Sequence, residues 1–265
     1  MINVTLLKKT CETPGISGFE QQVRTLVTQE IEGFTDSLYT DAMGNLIALK
    51  KGKSSEKRTM AAAHMDEIGF IVSHIDDKGF LRFHPIGGFD PKTLTAQRVI
   101  VHGKEDVIGV MGTKPIHLMS AEERGKPLQL KDYFIDLGLP KEAIEKIIEV
   151  GNPVSRQREL IEMGDCVNCK SLDNRVSVFI LMEVLKELKG IEIPYDFYAV
   201  FTVQEEVGIR GAHVAAHHIN PDFSFGLDTT IAFDTPDSRP EETITQLGAG
   251  TAIKIMDSST ICDYR

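Results

Sequence analysis

Acidic residues and one histidine stand at the ends of short apolar segments of this 265-residue chain, or at the start of an apolar helix. The apolar segments are typical of buried strands, and ligands of open α/β sheets collect beyond the carboxyl ends of strands. Carboxylates that meet there repel one another, and a divalent cation would neutralise them. The sequence therefore predicts a metal site. The candidates are His64, Asp66, Asp173, Glu205, Glu206 and Asp228.

His64 and Asp66 belong to the string His-Met-Asp after the apolar segment 59–63. A metal-bound histidine commonly has a carboxylate that orients its other ring nitrogen. We therefore interpret His64 as a ligand and Asp66 as the residue that orients it. The alternative is a buried histidine with satisfied hydrogen bonds beside a turn aspartate.

Glu205 and Glu206 end the strand-like segment 198–203. Adjacent residues point in different directions, so one can hold a metal while the other takes a proton from metal-bound water. We predict that Glu206 is the ligand and that Glu205 is the general base. The alternative is a solvated loop between a strand and a helix.

Asp173 and Asp228 are the remaining candidate ligands. Asp173 precedes a long apolar helix, so its simplest role is that of an N-cap, but beside other acids it could bridge two metal ions. Asp228 ends the segment 223–227 and is the better ligand of the two late aspartates, because Asp234 lies in a Phe-Asp-Thr-Pro turn.

Two other motifs carry weaker signals. Cys166 and Cys169 have zinc-knuckle spacing, but no second pair completes four ligands, so we interpret them as reduced bystanders. His213 and His217 share a helix face without the intervening glutamate of the zincin pattern, which favours a solvated face.

Composition narrows the classes of function. A formal net charge of −10 argues against binding to nucleic acid or anionic lipid and favours small molecules or peptides. The N-terminal residues lack the apolar stretch of a secretory signal, and no run reaches the roughly 18 apolar residues of a membrane span. We predict a cytoplasmic protein.

The elements that must position these residues alternate between strands and helices. This pattern predicts an α/β fold with a mixed, mostly parallel sheet and flanking helices, formed by residues 1–68 and 165–265. Between residues 69 and 164, short β-rich runs and glycine turns indicate an inserted small β-barrel or sandwich. Within this insert, a helix is predicted over residues 140–150. The basic stretch 50–58 is predicted to be a loop.

Four strings are similar to those of a known family. They are Ala-Ala-Ala-His64-Met-Asp66-Glu-Ile-Gly-Phe, Ser-Leu-Asp173-Asn-Arg, Thr-Val-Gln-Glu205-Glu206-Val-Gly-Ile-Arg-Gly-Ala and Leu-Asp228-Thr-Thr-Ile-Ala-Phe-Asp-Thr-Pro. In this order they resemble the tetrahedral (TET) aminopeptidases, which include glutamyl and deblocking aminopeptidases and some members labelled endoglucanases. The resemblance covers essentially the whole chain.

The resemblance implies a phosphorylase/hydrolase-like core, an inserted β-barrel that helps to pair subunits, and a dodecameric particle. It also implies two divalent ions per subunit, zinc or cobalt, and peptide substrates. His64 and Asp228 would hold one ion, Glu206 the other, and Asp173 both. Asp66 would orient His64, and Glu205 would be the base.

Members of this family continue for several dozen residues beyond the part that resembles 252–262, and that extension supplies one more histidine ligand. The given sequence is therefore expected to lack this segment, as a clipped product or a short gene, and Glu206 would share its ion with Asp173 alone. The leading hypothesis is an aminopeptidase. The alternatives are a related dimetal carboxypeptidase or N-acyl deacylase, or an inactive assembly or metal-binding protein.

Overall fold

The computed structural model describes residues 2–257 and 260–263. The chain divides into two compact units, Met1–Leu227 and Asp228–Arg265. The helices are α1 (Val4–Glu12), α2 (Gln21–Ile31), α3 (Ala121–Arg124), α4 (Lys141–Ile144), α5 (Leu172–Glu187) and α6 (Arg210–Ile219). The strands are β1 (Ser37–Thr40), β2 (Leu46–Lys50), β3 (Ser54–His64), β4 (Gly69–Ile75), β5 (Leu81–Ile86), β6 (Arg98–His102), β7 (Asp106–Gly112), β8 (Phe134–Asp136), β9 (Pro153–Arg156), β10 (Ile161–Met163), β11 (Cys166–Asn168), β12 (Tyr195–Thr202) and β13 (Phe223–Gly226).

The main sheet of the first unit has five strands in the order β1-β2-β12-β3-β13. Strands β12 and β13 run parallel to β3, whereas β1 and β12 run antiparallel to β2. The predicted mixed sheet is confirmed, and its antiparallel pairings come from the N-terminal hairpin of β1 and β2. The parallel group places the carboxyl ends of β3, β12 and β13 at one edge of the sheet.

Helices cover both faces of this sheet. On β2, Leu46 and Ala48 pack into a cluster with residues of α1, α2 and α5, while Ile47 between them packs on the other face with Ala215 and Ile219 of α6. Alternate residues of a strand point to opposite faces, so the run Leu-Ile-Ala fills both layers of the core. The result is a three-layer α/β structure.

The residues between β3 and α5 include a separate, closed barrel of strands in the order β4-β5-β8-β7-β6-β9. Its interior is a second apolar cluster with buried Phe70, Leu81, Met111 and Ile135. The barrel strands lie between Gly69 and Arg156, and β10 and β11 form a separate two-stranded sheet after them. The limits of 69 and 164 for an inserted domain, and its role in assembly, stay predictions.

Two local predictions were wrong. The stretch 50–58 was expected to be a loop, but Ser54 already begins β3, because this part of β3 pairs with Tyr195 and Asp196 of β12. The helix expected over 140–150 ends at Ile144. After Ile144 the chain continues in turns, and the Ile147 carbonyl oxygen accepts the Lys104 amide of the barrel at 2.8 Å.

The second unit has little regular structure in its described part, which comprises residues 228–257 and 260–263. A short 3₁₀ turn spans Pro240–Glu242, and the Glu242 carboxylate accepts the Arg239 amide at 3.1 Å. A single bridge joins Met256 and Ile261. In neither unit do the described residues include a helix with the length and apolar character needed to cross a bilayer.

Candidate metal centre

The ends of two neighbouring parallel strands position the histidine and the two glutamates. His64 is the last residue of β3 and lies opposite Thr202, the last residue of β12. After β12 the chain turns at Gln204, whose φ of 54° lies in the left-handed region, and Glu205 and Glu206 follow at once. The turn places both glutamates at the edge of the sheet where β3 ends.

Main-chain contacts fix the orientation of the His64 ring. Its Nδ1 atom lies 3.0 Å from the carbonyl oxygen of Asp66. A carbonyl oxygen can only accept, so Nδ1 carries the hydrogen and Nε2 keeps a lone pair in the neutral ring. Nε2 lies 3.2 Å from Oδ1 of Asp173 and 3.7 Å from Oε2 of Glu205. The nitrogen with the lone pair thus faces two carboxylates.

The buried carboxylate of Asp66 accepts several hydrogen bonds. Oδ1 lies 3.4 Å from Nδ1 of His64 and accepts the Glu205 amide at 3.0 Å. Oδ2 accepts the Ser17 hydroxyl at 2.6 Å and the Glu206 amide at 3.1 Å. Burial alone would raise the pKa of Asp66, but these contacts and His64 lower it below its usual value. The main-chain oxygen of Asp66 lies nearer to Nδ1 of His64 than Oδ1 does, and the carboxylate accepts the amides of both glutamates.

Asp173 lies at the start of α5 but is not its N-cap. The N-cap is Ser171, and Asp173 and Asn174 have non-helical backbone angles. The Asp173–Asn174 peptide bond is cis. The Asp173 side chain is 62% exposed and is directed at Nε2 of His64. The geometry therefore disfavours the capping interpretation and leaves this carboxylate free to contribute to the acidic group.

The donor set fits a divalent cation. One ligand atom each from His64, Glu205 and Glu206 can be chosen so that all lie within 4.8 Å of one another. Ligand atoms sit about 2.0–2.2 Å from a zinc ion, so two ligands of one ion are roughly 3–4 Å apart. The 3.2 Å between His64 and Asp173 falls in this range.

The pKa values of His64 and Glu206 are both shifted from their usual values. Burial lowers the pKa of His64, but its hydrogen bonds with Asp173 and Asp66 outweigh burial and raise it to about 10. Burial also raises the pKa of Glu206 to about 7, and the charge of Asp173 adds to the rise. Asp173 contributes to both shifts, which is the effect of carboxylates held close together. A bound cation would supply the missing positive charge.

Asp228 is the first residue of the second unit. Its neighbour Leu227 is held by main-chain contacts, since its amide donates to the Ala62 carbonyl oxygen at 2.8 Å and its carbonyl oxygen accepts Nδ2 of Asn174 at 2.8 Å. The ligand role of Asp228 stays a prediction, as do the individual roles of the other candidate residues.

A group of buried charges, the Glu67–Lys170–Arg175 network, was missed by the sequence analysis. Lys170 forms a hydrogen-bonded ion pair with Oε1 of Glu67, and Arg175 Nη2 lies 3.6 Å from the same oxygen. All three side chains are at most 3% exposed. Glu67 and Arg175 are charged residues in the same strings as Asp66 and Asp173. The strings alone do not indicate the network, because the two residues lie far apart in the sequence.

Arg175 also binds the amino-terminal segment. Its guanidinium and Nε donate to the carbonyl oxygens of Thr10, Thr13, Gly15 and Met65. Through Arg175, the start of α5 beside Asp173 is therefore bound to α1 and to the loop that follows it.

The cysteine and helix motifs do not contribute a second site. Among the described residues, neither Cys166 and Cys169 nor His213 and His217 belong to a group of three potential ligands. This agrees with their interpretation as bystanders and as a helix surface.

Comparison with known proteins identifies the family. A family model described as M42 glutamyl aminopeptidase matches residues 44–265, which include all the candidate ligands. The chain belongs to the M42 glutamyl aminopeptidase family. Membership confirms the resemblance to TET aminopeptidases, and with it an enzyme of the aminopeptidase class that uses divalent metal.

Solved structures and sequence relatives agree with the M42 assignment. An aminopeptidase from the archaeon Desulfurococcus kamchatkensis is 40% identical with a TM-score of 0.89, over 95% of this chain and 70% of that chain. The TET1 peptidase of Pyrococcus horikoshii, which can assemble into a tetrahedron or a large octahedral shell, is 34% identical with a TM-score of 0.79, over 89% and 72%. A lysyl aminopeptidase of Pyrococcus furiosus is 34% identical over 261 residues, or 96% of this chain and 74% of the relative.

Proposed function

We propose that this M42 protein removes N-terminal residues from peptides with two divalent ions, zinc or cobalt, and a glutamate base. The observation that carries the proposal is the direction of Nε2 of His64, which faces Asp173 and Glu205 at the edge of the sheet. In this proposal His64 and Asp228 hold one ion, Glu206 holds the other, and Asp173 is shared.

The protein residues have separable tasks in the reaction. Bound divalent ions would polarise the scissile carbonyl group and lower the pKa of a coordinated water molecule. Glu205 accepts the proton of the attacking water at its carboxylate and later donates it to the leaving amine. Its backbone is held by Oδ1 of Asp66, so Asp66 acts as a positioning residue for Glu205 as well as for His64.

Removal and return of metal tests this function. After dialysis against a chelator, hydrolysis of aminoacyl p-nitroanilides should fall to background, and zinc or cobalt should restore it with two ions bound per chain. N-acetylated versions of the same substrates are the control and should not be cleaved. Cleavage of only the acetylated substrates would indicate a deacylase, and fewer than two ions with no hydrolysis would indicate an inactive metal-binding protein.

The proposal includes self-assembly into a homo-oligomer, up to a dodecamer. It is supported by the assemblies of the Pyrococcus horikoshii relative and by exposed apolar side chains on and beside the barrel strand β7. These are Ile108, Val110, Ile116 and Leu118. Native mass spectrometry should detect multiples of the 29.4 kDa chain, and a monomer at micromolar concentration would contradict assembly. A cytoplasmic location stays a prediction from sequence.

A further inference from the structure

Two free cysteines, Cys11 of α1 and Cys169 just before α5, lie side by side although they are far apart in the sequence. Cys11 is fully buried in the apolar cluster of the main sheet, and the half-buried Cys169 packs against the same cluster. The two thiols form a hydrogen bond with each other. The structure thus gives Cys169 a different partner from the one that the Cys-x-x-Cys spacing at 166–169 indicates.

Hydrogen bonds hold the main chain on both sides of this cysteine pair. The Ser171 hydroxyl donates to the Cys11 carbonyl oxygen at 2.6 Å. Arg175 donates to the carbonyl oxygens of Thr10 and Thr13, before and after Cys11, at 2.7 Å each. A disulfide requires two Cβ atoms about 3.5–4.5 Å apart. Because the thiols are already in contact on segments that are bound together, we expect side-chain rotation with little main-chain movement to be enough to join them.

The surroundings of Cys169 favour its thiolate. The backbone amides of Lys170 and Ser171 donate to its sulfur atom, and the charge of the Lys170 side chain acts in the same direction. Together with the hydrogen bond from Cys11, which has the largest effect, these contacts outweigh burial and lower the pKa of Cys169 to about 6. The thiolate is the nucleophilic form of cysteine, and Cys169 is partly exposed to solvent. It is therefore the residue of the pair that a small molecule in solution can reach and modify.

Cys11 is suited to react second. Its hydrogen bond with Cys169 and its burial raise the pKa of Cys11 above the usual range, so it stays protonated while the Cys169 thiolate is present. When Cys169 is covalently modified, that negative charge disappears and no longer opposes ionisation of Cys11. The charges of Arg175 and Lys170, which lower the pKa of Cys11, then favour its thiolate. The reaction order follows from these contacts, with Cys169 as the attacking residue and Cys11 as the resolving residue.

We propose that Cys11 and Cys169 form a thiol-modification site, which low-molecular-weight disulfides oxidise to an intramolecular disulfide. The Cys169 thiolate attacks one sulfur atom of the small disulfide, whose S–S bond breaks, and the first half leaves as a thiolate that takes up a proton from water. Cys11 then attacks the Cys169 sulfur atom of the mixed disulfide, and its proton passes to the second thiolate that leaves. Two protein thiols are thereby oxidised, and one small disulfide is reduced to two thiols.

Peptide mapping under non-reducing conditions tests the site. After the reduced full chain is incubated with glutathione disulfide, a peptide linked through Cys11 and Cys169 should be the main product, and dithiothreitol should remove the link. Cys11→Ser should stop at the mixed disulfide of Cys169 with glutathione. Cys166→Ser is the matched control, because Cys166 is exposed and should leave the yield of the linked peptide unchanged. A link between Cys166 and Cys169 as the main product, or no oxidised product, would overturn the proposal.

The rate of alkylation tests the contact between the two thiols separately. Modification of Cys169 by iodoacetamide should rise with pH around a midpoint of about 6, where its thiolate forms. Cys11→Ala removes the hydrogen-bond donor, and should slow the modification at pH 7 by about 10-fold or more as the pKa returns towards about 8.5. Equal rates for the wild type and Cys11→Ala would refute the role of Cys11. Neither measurement requires turnover, so both results are independent of the proposed aminopeptidase function.

Discussion

The Glu67–Lys170–Arg175 network and the candidate metal centre are adjacent, because Asp66 and Glu67 are neighbours in the sequence. The two groups differ in the balance of positive and negative charge. In the Glu67–Lys170–Arg175 network, two cations accompany one carboxylate and all three side chains are buried. In the candidate metal centre, one imidazole faces the carboxylates of Asp173 and Glu205, and burial raises the pKa of Glu206. The first group has two cations for one carboxylate, whereas in the second a single imidazole faces several carboxylates.

This difference indicates that the buried network stabilises the fold and that the candidate metal centre binds a ligand. Buried charges are tolerated when partners and hydrogen bonds surround them, and breaking such a set costs folding free energy. Acids that lie together at an accessible edge are stabilised by a bound ligand of opposite charge. The buried network should therefore respond to mutation through stability, and the metal centre through metal binding and turnover.

The sharpest way to test the comparison is Glu205→Gln. Loss of the base should reduce kcat by about 10²- to 10⁴-fold, because a positioned general base contributes on that order. Metal content and thermal stability should not change. Steady-state kinetics measure kcat, elemental analysis measures the metal content, and thermal denaturation measures the stability. Glu192→Gln, at a surface ion pair with Lys53, is the control. Retained turnover would exclude Glu205 as the base.

The buried network gives the complementary prediction. Glu67→Gln leaves Lys170 and Arg175 without their counter-charge, and should lower the free energy of unfolding by about 3–5 kcal/mol. Denaturant titration measures this loss. The half-buried ion pair of Glu30 with Lys186 at 3.3 Å provides the control, and Glu30→Gln should cost less than about 1 kcal/mol. Equal losses for the two variants would mean that burial does not distinguish them.

Asp66→Asn probes the boundary between the two groups. The asparagine side chain keeps the shape of the aspartate but has one acceptor oxygen fewer for the Ser17 hydroxyl and the backbone amides of Glu205 and Glu206. Metal affinity or kcat/KM should therefore fall about 10- to 100-fold. The His64 ring should keep its place, since the main-chain oxygen holds it. Asp76→Asn in a barrel turn is the control. Unchanged metal affinity and kcat/KM would show that the carboxylate is not needed for positioning.

Much of the sheet and part of the site could be predicted from local sequence. Apolar runs gave the strands of the core, and strand ends gave the positions of His64, Glu205 and Glu206. The early part of β3 was missed because residues 54–58 are serine and charged residues, and their strand conformation depends on pairing with β12. Local propensity is overruled in such places by partners that are distant in the sequence.

The supporting contacts of the site could not be predicted for the same reason. Ser17 reaches Asp66 across 49 positions, and Lys170 reaches Glu67 across 103. Nothing within a few residues of Ser17 or Lys170 indicates such a partner.

The contacts of Arg175 make the amino-terminal arm part of the reaction centre. Three of the carbonyl groups that it binds belong to Thr10, Thr13 and Gly15, while Asp173 lies only two positions before it. Proteolytic removal of this arm would strand a fully buried cation beside a proposed ligand. Cleavage of the chain within the first fifteen residues should therefore lower the stability of the fold around Asp173, because Arg175 would lose three of its carbonyl partners.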